Sequence, residues 1–124
     1  MKVLLSIKPE FVDKIFDGTK KYEFRKSLFK RNDVTRVVIY ASYPIKRIVG
    51  EFEIEHILSD DVDIIWEQTK KYSGITKNFY NSYFQKRKRA NAIKIGHLIR
   101  YEKARCLSDY NIQQAPQSFC YISE

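Results

Sequence analysis

The chain has 124 residues, of which 44% are hydrophobic and 31% charged, and its formal net charge is +8. This length and composition predict one globular domain over residues 1–124 and exclude a disordered chain. No apolar run approaches the ~20 residues that a membrane-spanning helix needs, so we predict a cytoplasmic protein without a membrane partner.

The excess of cations favours a polyanionic partner. Lys and Arg number 23 against 15 Asp and Glu, a balance typical of domains that bind nucleic acid. RNA or a nucleotide is therefore the predicted partner, DNA is a second option, and the oligomeric state stays open. Cys106 and Cys120 lack metal-ligand spacing and predict free thiols in a reducing compartment, and we predict neither a metal site nor a cofactor.

The first part of the chain predicts a strand, a helix and two more strands. Residues 2–8 form a predicted buried strand, and Pro9 suits the first turn of a helix that ends at a left-handed cap at Gly18. A second strand is predicted over residues 20–26. The β-branched and aromatic residues of 36–42 predict a third, buried strand.

A fourth strand is predicted over residues 46–57, where apolar and acidic residues alternate. Gly50 in mid-strand predicts a bulge or a bend. Glu51, Glu53 and Glu55 share one face, and we interpret this acidic stripe as solvated surface rather than a metal site.

The periodicity then becomes helical. Ser59 or Asp60 is predicted to cap a helix that runs to about Tyr72, and Thr76 to cap a second helix. The second helix is predicted to carry an aromatic stripe and to end in a basic run, which would complement its C-terminal dipole. The stripe consists of Phe79, Tyr80, Tyr83 and Phe84.

Residues 90–101 and 118–122 are the last two predicted strands. Strands outnumber helices, so a doubly wound α/β fold is excluded. The predicted class is α+β: a small, partly closed mixed β-barrel, with one helix after the first strand and two further helices inserted before the last strands.

The most informative stretch follows the first predicted helix. A strand begins just after the glycine cap and carries two cations and one carboxylate. Alternation places Tyr22 and Phe24 on one face and Lys21, Glu23 and Arg25 on the other. The two cations and the carboxylate of such a strand can bind a polar, partly anionic ligand.

This stretch, Gly18-x-Lys20-x-x-Glu23-x-Arg25, resembles the signature of the ASCH domain, a branch of the PUA-like superfamily. The resemblance covers nearly the whole chain. Four flanking pieces look like those of small stand-alone bacterial and archaeal members: Leu5-Ser6-Ile7-Lys8-Pro9, Tyr40-Ala41-Ser42-Tyr43-Pro44, Ile48-Val49-Gly50-Glu51-Phe52 and Ala115-Pro116-Gln117-Ser118-Phe119.

The resemblance implies a PUA-like β-barrel with a cleft beside the first helix that binds RNA or nucleotides, often in the regulation of transcription or translation. Some relatives are amidohydrolases that act on acetylated cytidine, and at least one is a ribonuclease. In the amidohydrolase branch the lysine matched here by Lys20 is catalytic, with a threonine three residues later and a distant glutamate. This chain has Glu23 in place of that threonine.

Three signature residues form the candidate ligand site. Lys20 would donate to a phosphate or a base carbonyl, or act as a base if burial lowers its pKa; the alternative is a solvated turn lysine. Arg25 offers a planar fork to a ligand and can also reach Glu23 on the same strand face. We interpret Glu23 mainly as the group that orients this fork. In an enzyme, Lys20 and Glu23 would be the catalytic residues.

Further binding residues are predicted around these three. Lys8 precedes the helix and would help to line the same cleft. Ser42 and Ser118 lie at strand ends, where they could hydrogen-bond a ligand or simply cap turns. The predicted nucleic-acid surface is the run Lys86-Arg87-Lys88-Arg89, which could neutralise about four phosphates. The alternative is a helix end whose cations are simply solvated.

Two functions remain open from the sequence. The first is a binding module that regulates transcription or translation. Its cleft would recognise a base, while the basic surface would bind the phosphate backbone of the nucleic acid. The second is a hydrolase that acts on a modified nucleoside or on RNA, with Lys20 as base or activator of the nucleophile and a carboxylate as its partner. A regulator that binds DNA would need a recognition helix, which the sequence does not identify.

Overall fold

A computed structural model describes residues 1–123, which form a six-stranded mixed sheet with helices on it. The strands are β1 (Lys2–Ile7), β2 (Tyr22–Arg25), β3 (Arg36–Ala41), β4 (Arg47–Asp61), β5 (Arg89–Arg105) and β6 (Phe119–Ile122). The α-helices are α1 (Pro9–Asp17), α2 (Val62–Thr69) and α3 (Lys77–Tyr83), and short 3-10 helices cover Lys70–Tyr72 and Leu107–Tyr110. The predicted α+β class is confirmed.

The sheet has the strand order β2-β5-β4-β3-β1-β6. Only the β1–β3 pair is parallel among the described strands, because α1 and β2 intervene between these two strands in the chain. The register of that pair sets Ile7 opposite Ala41, so the C-terminal ends of β1 and β3 lie side by side.

The predicted barrel is not supported, because the sheet stays open between its edge strands β2 and β6 within residues 1–123. The free edge of the four-residue strand β2 contacts side chains instead of another strand. The Tyr83 hydroxyl donates to the Phe24 carbonyl over 3.4 Å. The Arg25 guanidinium donates to the Ser6 carbonyl of β1 over 3.0 Å. Side chains therefore span the gap, which we call the open seam.

Bulges in β4 accompany the curvature that brings β2 towards β1. The register shifts between Ile48 and Gly50, and twice more before His56. A Cβ atom on Gly50 would clash with the Ile99 carbonyl oxygen and lie 2.9 Å from a ring carbon of Phe16. The register shift confirms the bulge predicted at Gly50, and the close approach of the Ile99 backbone leaves no room for a side chain there.

Both faces of β1 and β3 are buried, as predicted. Alternate residues of these strands pack with α1 on one side and with the C-terminal segment on the other, where Leu4 and Val38 meet Tyr40 and Ile48. A separate apolar cluster lies under α2 and α3. Its fully or nearly fully buried members are Phe24, Ile65, Tyr80, Phe84, Ala90 and Ala92.

The helix starts were predicted with mixed success. The Thr76 cap is confirmed, since its hydroxyl accepts a hydrogen bond from the Phe79 N–H over 3.1 Å. The cap at Ser59 or Asp60 is wrong, because β4 continues through its pairing with β5 as far as Asp61. The cross-strand ladder thus overrides the local capping preference. No helix within residues 1–123 has the length and apolar character needed to cross a bilayer.

Two predictions about charged residues need correction. The helix α3 ends at Tyr83, so the basic run 86–89 lies in the following turn and at the start of β5, not in the last helical turn. Glu53 and Glu55 are exposed as predicted, but Glu51 is buried. Its carboxylate accepts hydrogen bonds from Lys2, Arg36 and Tyr101, which compensate for its removal from water.

We expect Gly50→Ala to lower the free energy of unfolding by about 3 kcal/mol, because its methyl group would press on the Ile99 backbone. Gly18→Ala is the matched control. Its φ of +86° is unfavourable for alanine, but its Cβ would meet nothing within 4 Å, so we expect a loss of about 1 kcal/mol. Urea denaturation of both variants measures the difference, and equal losses would contradict the close approach at Gly50.

Candidate functional site

The open seam contains a cleft with a volume of about 330 Å³. This volume lies at the small end of the range of ligand pockets, about 300–1,000 Å³. The free edge of β2, the junction of β1 with α1, and α3 surround it. Its apolar lining consists of Ile7, Phe11, Phe24, Ile75, Phe79 and Tyr83, and its polar lining of Ser6, Lys8, Lys20, Glu23 and Arg25.

Lys20 is buried in this cleft, with only 2% of its surface exposed. Its Nζ atom donates to the Ser73 carbonyl over 2.8 Å and lies 4.8 Å from the centre of the Phe24 ring and 5.2 Å from that of Phe11. The rings contribute cation–π attraction in place of water. Lys20 is therefore not a solvated turn lysine, and its ammonium faces the cleft that the sequence predicted beside the first helix.

Burial lowers the pKa of Lys20 from 10.5 to about 8, because the charged form loses its hydration. The nearby Glu23 carboxylate partly restores this pKa, and the Lys14 ammonium lowers it further. At pH 7 about a tenth of the molecules then carry the neutral amine at this position. Lys20 can thus donate a hydrogen bond as a cation or accept a proton as an amine.

Gly74 makes the burial of Lys20 sterically feasible. It has a φ of +69°, and a Cβ atom there would lie 2.5 Å from the Lys20 Cβ. The lysine stem therefore runs directly under the Gly74 backbone. The Lys14 ammonium donates to the Gly74 carbonyl over 3.0 Å and ties this segment to α1.

Glu23 and Arg25 form the ion pair that their spacing predicted, with 3.0 Å between Arg25 Nη2 and Glu23 Oε2. The same guanidinium donates to the carbonyls of Ser6 and Ser118, over 3.0 and 3.4 Å. Its Nε atom is buried without a partner within residues 1–123. Arg25 thus makes two hydrogen bonds across the open seam and one ion pair within its own strand, and its direct role in ligand binding stays a prediction.

Two rings of the predicted aromatic stripe of α3 form a wall of the cleft. Phe79 and Tyr83 lie four residues apart, with ring planes 9° from parallel and centroids 6.4 Å apart. We call this pair the aromatic shelf. Lys8 Nζ lies 5.3 Å from the Phe79 centroid and Lys26 Nζ 4.8 Å from that of Tyr83. The sequence signal for the shelf is the number of aromatic residues: three in this short helix and Phe84 directly after it, of which only Tyr80 and Phe84 are fully buried.

The predicted basic run 86–89 is exposed throughout and adjoins one end of the aromatic shelf. Burial raises the pKa of the Tyr83 hydroxyl, and the nearby positive charges of Arg25 and Arg87 oppose this rise. Arg89 is partly neutralised, since its guanidinium lies 3.7 Å from Asp60 and 3.6 Å from Asp61. Its use as a nucleic-acid contact stays a prediction.

The two predicted serines do not line the cleft but contact residues that do. The Ser42 N–H donates to the Ile7 carbonyl over 3.0 Å, and the Ser118 carbonyl accepts from Arg25. Both contacts use the backbone. Lys8, in contrast, lines the cleft as predicted, and the binding roles of all three residues remain predictions.

Comparison with known proteins agrees with the resemblance seen in the sequence. The profile of the ASCH domain family matches residues 5–99. The chain is also similar to an ASCH domain-containing ribonuclease of Zymomonas mobilis, with 30% identity over 91 residues that cover 73% of this chain and 62% of that protein. A crystal structure of ASCH from Zymomonas mobilis superposes with a TM-score of 0.89 at 26% identity, covering 99% of this chain and 88% of the other.

The chain is further similar to the large ribosomal subunit protein uL22 of Ureaplasma parvum, with 29% identity over 120 residues. This match covers 97% of the chain but only 39% of the ribosomal protein. A weaker match, 27% identical, lies in the ATP synthase subunit alpha of the same organism and covers 15% of that protein. The chain thus spans less than half the length of these Ureaplasma relatives.

The buried ammonium of Lys20 predicts a specific pH dependence of stability. Its pKa is lower in the folded protein than in the unfolded chain, so the unfolded chain binds more protons between pH 8 and 10.5 and stability rises with pH in that window. We expect the free energy of unfolding, relative to Lys20→Met, to increase by about 2 kcal/mol between pH 7 and 10. Chemical denaturation measures it, with Lys21→Met as the control; a pH-independent difference would contradict the burial of the charge.

Proposed function

The chain belongs to the ASCH domain family, and we propose that it binds RNA by taking one unstacked nucleobase into the open-seam cleft. The observation that carries this proposal is the lining of the cleft: aromatic rings form its walls, a cation and a carboxylate lie together among its polar groups, and lysines flank its aromatic shelf. Single-stranded RNA is recognised in general by stacking splayed bases on aromatic side chains and by bonding their edges.

A base suits the cleft better than a phosphate does. The Glu23 carboxylate lines it and would repel a phosphate. The Nη1 and Nη2 groups of Arg25 already contact Glu23, Ser6 and Ser118, and its Nε atom is buried. The ammonium of Lys20 uses one of its three N–H groups on Ser73. Its remaining donors and the Glu23 carboxylate match the alternating acceptors and donors on the edge of a base.

The phosphates would then lie outside the cleft on exposed cations. Lys8 and Lys26 flank the aromatic shelf, and Lys86, Arg87 and Lys88 follow α3. These side chains supply sequence-independent attraction for the backbone, while the cleft supplies selectivity for a base.

The relatives support a role for the domain in RNA metabolism. One is named a ribonuclease, and another is a ribosomal protein that contains a segment similar to nearly this entire chain. We extend the proposal to the regulation of translation or transcription in the cytoplasm. The free thiols of Cys106 and Cys120 agree with a reducing compartment.

RNA binding should depend steeply on salt. We expect the double variant Lys86→Ala/Arg87→Ala to bind a single-stranded oligoribonucleotide more weakly and to reduce the slope of log K against log salt by about 1–2, because two phosphate contacts are lost. Lys103→Ala, which removes an exposed cation from the far part of β5, is the control. Fluorescence anisotropy across a salt series measures both quantities, and undetectable binding at low salt would refute the proposal.

A hydrolase is the second candidate, favoured by the lowered pKa of Lys20 and by the ribonuclease among the relatives. A neutral Lys20 amine could take the proton from an attacking hydroxyl group, of water or of the ribose, with Glu23 holding the resulting ammonium. The substrate would be RNA or a modified nucleoside such as acetylcytidine.

The two candidates differ in turnover. From the binding proposal we expect labelled RNA and acetylcytidine to be recovered intact after incubation with purified protein. Turnover that Lys20→Ala abolishes and the neighbouring Lys21→Ala preserves would assign the hydrolase instead, because only Lys20 of this pair lines the cleft. Gel electrophoresis of the RNA and chromatography of the nucleoside provide the measurements.

A further inference from the structure

The turn between β3 and β4, together with Arg47 at the start of β4, displays an unusual set of exposed side chains. All five residues from 43 to 47, which we call the tip, are exposed. Tyr43 has 78% of its surface exposed and Ile45 47%, the highest values for large hydrophobic residues within residues 1–123. Two cations, Lys46 and Arg47, follow directly, and Lys46 Nζ lies 5.7 Å from the centre of the Tyr43 ring. A single exposed apolar residue is ordinary, but an aromatic, an aliphatic and two cationic side chains on one tip are not.

Hydrogen bonds hold this turn in a defined shape. The Ser42 carbonyl accepts from the N–H groups of Ile45, over 3.0 Å, and Lys46, over 3.5 Å. The Arg47 guanidinium donates to the Lys46 carbonyl over 2.9 Å. Ala41 and Ile48 at the two ends of the turn are buried. The tip is therefore anchored and preorganised, which lowers the entropy lost when it binds a partner.

The turn adjoins the cleft. The Ser42 N–H bonds to the carbonyl of Ile7, which lines the cleft, and the parallel register of β1 and β3 places both strand ends at the same edge of the sheet. Tyr43 is the next residue after Ser42. A strand of RNA that leaves the cleft past Lys8 would therefore meet this tip within a short span.

We propose that the β3–β4 turn is a second RNA contact, at which the Tyr43 ring stacks on a base near the one in the cleft while Lys46 and Arg47 contact phosphates. This inference rests on the proposed function of the cleft. The composition of the tip favours RNA as the partner, because surfaces that bind single strands combine aromatic rings with cations.

Oligonucleotides of two lengths distinguish the contribution of the turn to RNA binding from that of the cleft. We expect Tyr43→Ala to weaken binding of a single-stranded hexanucleotide by about 5- to 100-fold, the effect of losing one stacked base, and to leave the affinity for a dinucleotide unchanged. Tyr43→Phe keeps the ring and should bind both like the unmodified chain. Ile64→Ala removes an exposed apolar residue on α2, which contributes nothing to the cleft, and serves as the matched control.

Three outcomes overturn the inference. Equal hexanucleotide affinity of Tyr43→Ala and the unmodified chain would show that the tip does not touch RNA. Equal losses for the dinucleotide and the hexanucleotide would place the effect in the cleft. Concentration-dependent self-association that Tyr43→Ala abolishes, with RNA binding intact, would assign the tip to a protein interface. Failure of the unmodified chain to bind either oligonucleotide would refute the proposed function itself, a result distinct from these three.

Discussion

The Arg25 guanidinium, which crosses from β2 to β1, is the contact on which the site depends. It is paired with Glu23 and bonded to the carbonyls of Ser6 and Ser118, so it links three separate parts of the chain at the open edge of the sheet. A further backbone ladder at this place would have closed the sheet and filled the space. Because a side chain makes the connection instead, the two sheet edges are held together and a cleft remains between them.

The burial of Lys20 is the second constraint, and it is costly without support from several elements. The carbonyl of Ser73, two aromatic rings and the Glu23 carboxylate surround its ammonium, and Gly74 leaves room for its stem. A charge removed from water needs such partners to remain a cation. A group that lies in a cleft and has a shifted pKa is a candidate for a functional role.

The helix α3 connects the apolar cluster of the fold to the cleft. Tyr80 and Phe84 are buried under the sheet face that carries Phe24, which fixes the orientation of α3. Phe79 and Tyr83, one helical turn apart on the neighbouring side, therefore face the cleft. The turn that follows α3 and the first residue of β5 place the cations of residues 86–89 in the same region. The short helix α3 thus supplies one wall of the cleft and is followed directly by the basic run 86–89.

Local patterns in the sequence were sufficient for most of the elements, for the Gly18 and Thr76 caps and for the pairing of Glu23 with Arg25, because these depend on neighbours a few residues apart. Residue types also marked Lys8, Lys20, Glu23 and Arg25 as one group. Only the tertiary structure decided that the sheet stays open, that Glu51 is buried, that β4 extends to Asp61 and that the aromatic shelf belongs to the cleft. Each of these depends on contacts between residues far apart in the chain, whose energies no local pattern records.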